Sequence, residues 1–297
     1  MTLALIKLLR PHQWMKNALL FVPIFTANRV SDLHAWQNAA MAAVAFCLVA
    51  SSGYIFNDLN DVAKDRLHPT KRHRPLPAGT VTPRAAVALA VALIVSGMAI
   101  ASLIGLTTLA LVATYLAATL IYTFWLKSFV LADVLALAGL YTLRIVTGAA
   151  AIGQPSTLWL LSFSMFLFFS LAMIKRHKEL DPNRMAEGRQ FGRDYALSDI
   201  TVVVALGVSS GLLSVLVMGL YVDSQVALAR YPSPHWLWLI CPIIWYWCAR
   251  LWFKAARREV DDDPVIYALR DRASWTCLLV IACLYAAAHF GVPDPFG

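Results

Sequence analysis

The chain has 297 residues, 60% of them hydrophobic and 14% charged, with a formal net charge of +8. A mean hydropathy of +0.65 lies well above that of soluble domains, which excludes a water-soluble globular protein. The basic residues cluster at the ends of apolar segments rather than in one patch, so the charge does not signal nucleic acid.

Residues 1–16 read as a short interfacial helix, apolar at Leu3, Leu5, Ile6, Leu8 and Leu9, with Lys7, Arg10, His12 and Lys16 able to meet lipid phosphates. The opening MTLALIKLLRPHQWMKN has neither a basic leader region nor a small-residue cleavage site, so we expect no removed signal peptide.

Apolar segments follow at 17–34, 38–58, 83–104, 106–126, 129–150, 157–175, 197–221, 235–253 and 272–291. They predict an all-α polytopic membrane protein of nine transmembrane helices, in one membrane-embedded domain over 1–297. If the N-terminus is cytoplasmic, that side holds Lys7, Arg10, Lys16, the cations between Lys64 and Arg84, Lys127, those between Lys175 and Arg193, those between Arg250 and Arg258, Arg270 and Arg272. Only Arg29 and Arg230 fall on the other side, a strong positive-inside bias. It predicts an inner-membrane protein with its charged loops, 59–82 and 176–196, in the cytoplasm and its C-terminus opposite.

The run YIFNDLNDVAKDRLHPTKRHRPLPAG, Tyr54 to Gly79, ends an apolar segment in carboxylates and then in cations. If the helix continues for about two more turns, Asn57, Asp61 and Asp65 recur at i, i+4, i+8 and Asp58 joins the same stripe. Carboxylates on neighbouring turns repel, and oxygen-only ligands suit Mg²⁺, which takes one or two carboxylates and completes its shell with water and substrate phosphate. The stripe therefore predicts a metal-bridged polyphosphate. His68, Pro69, Lys71, Arg72, His73, Arg74, Pro75 and Pro77 follow as a proline-stiffened basic loop that can cap the remaining phosphate oxygens. A solvated charged face at the membrane surface is the plainer alternative.

With NxxxDxxxD on the second apolar segment and HPxKxxRPxxxG after it, the sequence resembles the intramembrane prenyltransferase superfamily typified by UbiA. RPHQWMKN is similar to the opening motif of one branch, the decaprenyl-phosphate phosphoribosyltransferases. The resemblance implies a UbiA-like bundle around a cytoplasm-facing cavity, with Lys16 and Asn17 facing it; a membrane anchor explains Trp14 and Lys16 equally well.

Further along, Lys127 lies at a helix end beside Tyr122, where it either snorkels or, as the resemblance implies, contacts phosphate. Arg144 is intramembrane and must face the bundle interior or a wet cavity. It sits three turns from Asp133 on one helix face, which permits a structural pair or an anion site. In MIKRHKEL, Lys175 and Glu179 share a face while Arg176 points away by about 100°, either as a surface salt bridge or at a chamber mouth. Aromatic-acceptor prenyltransferases carry an aspartate-rich motif here; this chain offers bases, with Asp181 the nearest spare carboxylate, as the phosphoribosyltransferase branch does. Arg184, Arg189, Arg193 and Asp194 either close over a ribose phosphate or meet solvent. Consecutive Asp261, Asp262 and Asp263 do not share a face and read as solvated, and Asp271 and Arg272 are candidates by resemblance. The five cysteines, Cys47, Cys241, Cys248, Cys277 and Cys283, form no CxxC pair and read as buried free thiols.

The resemblance implies a Mg²⁺-dependent transfer of 5-phosphoribose from 5-phosphoribosyl diphosphate (PRPP) to a polyprenyl phosphate, for a cell-envelope arabinose donor. Asp58, Asp61 and Asp65 are then the catalytic carboxylates and join Asn57 as metal ligands. Lys16, Asn57, Lys71, Arg74, Tyr122, Lys127, Arg144, Lys175 and Glu179 bind substrate. The competing readings are an aromatic-acceptor prenyltransferase using a prenyl diphosphate and a transporter with a charged path. A homo-oligomer is compatible with such a bundle without being specified by it.

Overall fold

The computed structural model describes residues 2–67, 69–180, 194–260 and 263–293. His68, Asp181, Arg184, Arg189, Arg193, Asp261 and Asp262 lie outside them. The regular elements of the described residues are all helices joined by turns, with α1 Thr2–Leu9, α2 Val22–Thr26, α3 Leu33–Leu67, α4 Pro83–Ile104, α5 Leu106–Phe124, α6 Ala132–Ala151 and α7 Leu158–Glu179. After these come α8 Ile200–Val222, α9 Gln225–Arg230, α10 Ile240–Ala256, α11 Pro264–Arg270 and α12 Arg272–His289.

Eight helices among the described residues are long and apolar enough to cross a membrane. The segment 17–34, expected as a ninth, instead lies in a 3₁₀ helix over Pro11–Phe21, the short α2 and the turn before α3. Pro11 and Pro23 sit at the first or second positions of these two pieces, where a missing N–H is tolerated but a continuous helix through Pro23 would lose a bond. The interfacial helix is likewise shorter than 1–16, because Arg10 adopts φ 50 and ends it. By contrast α3 runs to Leu67, so residues 59–67, expected as loop, carry the acidic stripe on helix.

The chain divides into two compact units, Met1–Lys127 with Leu143–Ser156, and Ser128–Thr142 with Thr157–Gly297. In the first, Leu8, Ile55, Leu76, Val81, Ala86, Ala90 and Leu93 form one core, joining α1, α3, the proline loop and α4. Gly148 permits the closest approach: a Cβ there would lie 2.1 Å from the Leu20 carbonyl oxygen. With no Cβ at that position, α6 lies against the 3₁₀ helix at backbone contact, as small residues allow in lipid, where apolar burial drives little. In the second unit, Gly207 accepts the Trp252 ring in the same way, a Cβ there falling 2.2 Å from Trp252 Cζ2. Trp252 Nε1 donates to Ser170 Oγ at 3.0 Å, so the indole's one polar atom is satisfied where it is buried.

Caps mark where helices restart. Thr82 accepts from Ala85 N ahead of Pro83, and Thr157 from Leu160 N, at 3.3 and 3.2 Å. Asp271 caps α12 through Ser274 N at 2.9 Å and takes Arg250 in a two-pronged ion pair, 2.7 and 3.0 Å. Burial alone would raise the Asp271 carboxyl, but the Arg250 guanidinium and Ser274 donors outweigh it and hold it below its ordinary range. Asp263 caps α11 through Val265 N at 3.1 Å. Asp271, a candidate by resemblance, and Asp263, expected to be solvated but half-buried here, thus both have structural work. All five cysteines are free; Cys241 and Cys248 are buried as expected, Cys47 and Cys277 are half-buried and Cys283 is exposed.

Candidate functional site

In the first unit the acidic stripe of α3 meets the basic loop that follows it. Asp58 and Asp65 are only 2% and 3% exposed, so their charges have left most of their water and require partners. Arg74 supplies one nitrogen to both, Nη1 lying 3.2 Å from Asp58 Oδ1 and 2.8 Å from Asp65 Oδ2. Lys71 Nζ lies 3.8 Å from Asp65 Oδ1. Arg10 Nη2 donates to Asp58 Oδ1 as well. Lys127 Nζ donates to Asp61 Oδ1 at 2.8 Å.

The loop is built to present these bases. Pro75 and Pro77 are buried beside Leu76, which is part of the α1–α3–α4 core. Ala78 N donates to Arg74 O at 2.9 Å, Thr80 N to Pro75 O at 3.0 Å, and Gly79 takes φ 71 to close the turn. Docking Leu76 therefore fixes Arg74 two residues away. The mutual repulsion expected of the carboxylates is met here by basic side chains.

Asn57 and Tyr122 are half-buried on α3 and α5 and join none of these pairs. Among the described residues no group of three or more His, Cys, Asp or Glu side chains is arranged to hold a metal ion. The donor chemistry still fits Mg²⁺: every candidate ligand is a hard oxygen, and that ion needs only one or two carboxylates beside phosphate oxygens and water.

Deeper in the same unit, Lys16, Asn17 and Arg144 are all buried. Arg144 Nε donates to Asn17 Oδ1 at 3.0 Å and Nη2 to Tyr115 OH at 2.8 Å, with its guanidinium 4.8 Å from the Tyr115 ring centroid. Asn17 Nδ2 donates in turn to Cys47 Sγ at 3.2 Å. Arg144 thus faces the interior, as an intramembrane cation must.

In the second unit, Asp133 and Arg176 are paired in full burial, Oδ2 to Nε 2.9 Å, with side chains 0% and 1% exposed. Tyr195 OH donates to Asp133 Oδ1 at 2.9 Å and accepts from Leu131 N at 2.9 Å. Burial and the Asp133 carboxylate push the Tyr195 hydroxyl up to about 12, so it remains a donor. The two ionisable groups of α6 therefore each find other partners than one another. Arg176, expected to point away from Glu179, instead bonds it through Nη1, since a fully buried guanidinium needs acceptors on more than one edge. Lys175 and Glu179 remain half-buried on the same turns.

Sequence reasoning missed Arg10, Tyr115, Arg176 and Tyr195 as members of these clusters. Arg10 could have been flagged by its place immediately before Pro11 and Arg176 by its i, i+3 spacing to Glu179; Tyr115 and Tyr195 are revealed only by the packing.

Among the described residues, eight long apolar helices, the longest of them ending in paired carboxylates and bases, mark a multi-pass membrane protein with a polar site at that helix end. The chain belongs to the UbiA prenyltransferase family, whose profile matches residues 18–278. It is 37% identical over 278 residues to the nodulation protein NoeC of Azorhizobium caulinodans, covering 92% of this chain and 89% of that protein. The uncharacterized protein y4nM of Sinorhizobium fredii is 36% identical over 284 residues, 94% of this chain; the chain spans only 55% of that relative's length. The decaprenyl-phosphate phosphoribosyltransferase of Mycolicibacterium smegmatis is 36% identical over 180 residues, 59% of this chain and 57% of that protein. Among solved structures, a UbiA homologue from Archaeoglobus fulgidus bound to GPP and Mg²⁺ shares the fold, with a TM-score of 0.70 at 16% identity, over 95% of this chain and 99% of the other.

Proposed function

We propose that the chain transfers 5-phosphoribose from PRPP to a polyprenyl phosphate at the cytoplasmic face of the inner membrane, making a lipid-linked precursor of a cell-envelope arabinose donor. The observation that carries this reading is the alternation of carboxylate and base at the end of α3: Asp61 with Lys127, and Asp65 with Arg74 and Lys71. Acids alone would bind a bare cation and bases alone a bare anion; the mixture suits a metal diphosphate, which presents both charges. The basic KRHKEL, the likeness of part of the chain to decaprenyl-phosphate phosphoribosyltransferases and the Mg²⁺ in the Archaeoglobus homologue support it.

In this reading Asn57, Asp58, Asp61 and Asp65 hold Mg²⁺, which when bound neutralises the diphosphate leaving group. Lys71, Arg74 and Lys127 hold the diphosphate oxygens, and Tyr122 borders the donor. Lys16 and Arg144 hold the second phosphate. The lipid phosphate oxygen attacks C1 of the ribose as the bond from C1 to the diphosphate oxygen breaks, inverting that carbon. A phosphate monoester is already anionic at pH 7, so no side chain need remove a proton, and positioning with electrostatic stabilisation carries the rate.

A prenyl diphosphate donor is the rival reading, favoured by the GPP in the Archaeoglobus homologue. Membranes containing the chain, given ribose-labelled PRPP and polyprenyl phosphate, distinguish the two. Label entering the lipid fraction with release of diphosphate supports phosphoribosyl transfer. Label remaining in water, while a prenyl diphosphate is consumed, refutes it.

A further inference from the structure

At the acidic end of α3, the reading above assigns no role to the guanidinium of Arg10, which meets Asp58. Arg10, at the junction of α1 and the 3₁₀ helix, has φ 50 and ψ 60, a left-handed conformation that a residue with a Cβ seldom adopts. The surroundings fix it on both sides. Ser51 Oγ accepts from Trp14 Nε1 at 3.0 Å and has two acceptors for its one proton, Leu9 O at 2.9 Å and Cys47 O at 2.7 Å, and Leu8 is packed into the α1–α3–α4 core.

This turn lays the Arg10 side chain along α3, its guanidinium 5.4 Å from the Tyr54 ring centroid. Four residues on from Tyr54, Asp58 Oδ1 accepts from Arg10 Nη2 and, at 3.2 Å, from Arg74 Nη1. Two guanidinium forks thus converge on one buried carboxylate oxygen. They repel each other there, and each has further N–H groups than a single oxygen can use. A phosphate, with more oxygens and more charge, accepts from both.

We propose that Arg10 is a latch on the metal–diphosphate site: it neutralises Asp58 in the empty protein and passes to a phosphate oxygen when the metal diphosphate binds, with the Tyr54 ring as its resting surface. The inference rests on the magnesium–diphosphate reading and adds a competition to it. While the latch is closed, Arg10 and a divalent cation contend for the same carboxylate. Once the diphosphate is present, Arg10 becomes one of its ligands. Arg10 therefore opposes the binding of a bare metal ion and favours that of a metal diphosphate.

The test is Mn²⁺ binding to the full-length protein in detergent, followed by electron paramagnetic resonance, with Mn²⁺ alone and with Mn²⁺ plus inorganic diphosphate. For Arg10→Gln we expect Mn²⁺ alone to bind several-fold tighter and Mn²⁺-diphosphate about tenfold weaker than in the unsubstituted protein. Arg10→Lys, which keeps the charge but not the fork, shifts both in the same senses by less. It carries the comparison if Arg10→Gln does not fold. Shifts of one sign in both measurements, or no shift, overturn the latch while leaving the site intact. Failure of the unsubstituted protein to bind Mn²⁺-diphosphate at all removes the underlying reading, and the latch with it.

Discussion

Lys127 Nζ and Asp61 Oδ1 lie 2.8 Å apart, joining residues 66 positions distant in the chain. The pair is part-exposed, 20% and 23% at the side chains, so its contribution to stability is at most about 1 kcal/mol. Its interest is chemical, since it sets a cation beside the middle carboxylate of the stripe. Asp61→Asn is expected to abolish transfer while moving the thermal unfolding midpoint little. Lys127→Ala is expected to lower turnover roughly 10²-fold, the cost of one lost electrostatic contact to developing negative charge. Near-normal turnover of Asp61→Asn at saturating Mg²⁺ would remove the metal role.

Arg144 is held by Asn17 and Tyr115 rather than by its helix-mate Asp133. Arg144→Ala is expected to raise the KM for one phosphorylated substrate about tenfold or more, equivalent to at least about 1.4 kcal/mol. Arg144→Lys keeps the charge without the fork and is expected to recover part of that loss. Unchanged affinity in both variants would make Arg144 a structural ion.

Asp133 and Arg176 form a fully buried pair, and removing one member strands the other. Asp133→Ala is expected to cost about 3–5 kcal/mol of stability. Tyr195→Phe, which removes one hydrogen bond to the same carboxylate, is expected to cost about 1 kcal/mol. Denaturant unfolding of the detergent-solubilised protein reads both. The reverse ranking would place the weight of the network on the hydroxyl instead.

Asp271 gives the fold an acid limb. Its carboxyl is held below its unfolded value of about 3.9 by Arg250 and Ser274. The stability it contributes is therefore complete above that value and is lost as pH falls below about 4 and through its folded value. Asp271→Asn, whose amide oxygen can still cap Ser274 N, is expected to cost up to about 1 kcal/mol at pH 7 through the lost ion pair with Arg250, and to flatten stability against pH in that acid window. A parallel downward shift at every pH would assign the acid limb to other carboxylates.

How much was legible depended on the range of the interaction. The α4 boundaries, 83–104, follow from Thr82, Pro83 and the apolar run, and the acidic stripe from its own spacing along α3. Pro11, Pro23 and the turn at Arg10 broke the segment 17–34, because hydropathy records apolarity but not a missing N–H or a left-handed residue. The side-chain partners were hidden for another reason. Arg10 meets Asp58 across 48 positions, and Tyr195 meets Asp133 across 62, pairings that only tertiary packing decides. Arg176 differs: its pair with Glu179 is an i, i+3 neighbour that helical geometry allows, whereas its burial against Asp133 is set by packing.

The most direct test of the central claim is the anomalous scattering of Mn²⁺ in crystals of the protein grown with diphosphate. The account predicts a metal peak within coordinating distance of the Asp61 or Asp65 carboxylate, with diphosphate oxygens on the metal and on Arg74. Diphosphate bound elsewhere, with Asp58, Asp61 and Asp65 still on their present bases and no metal peak beside them, would contradict it.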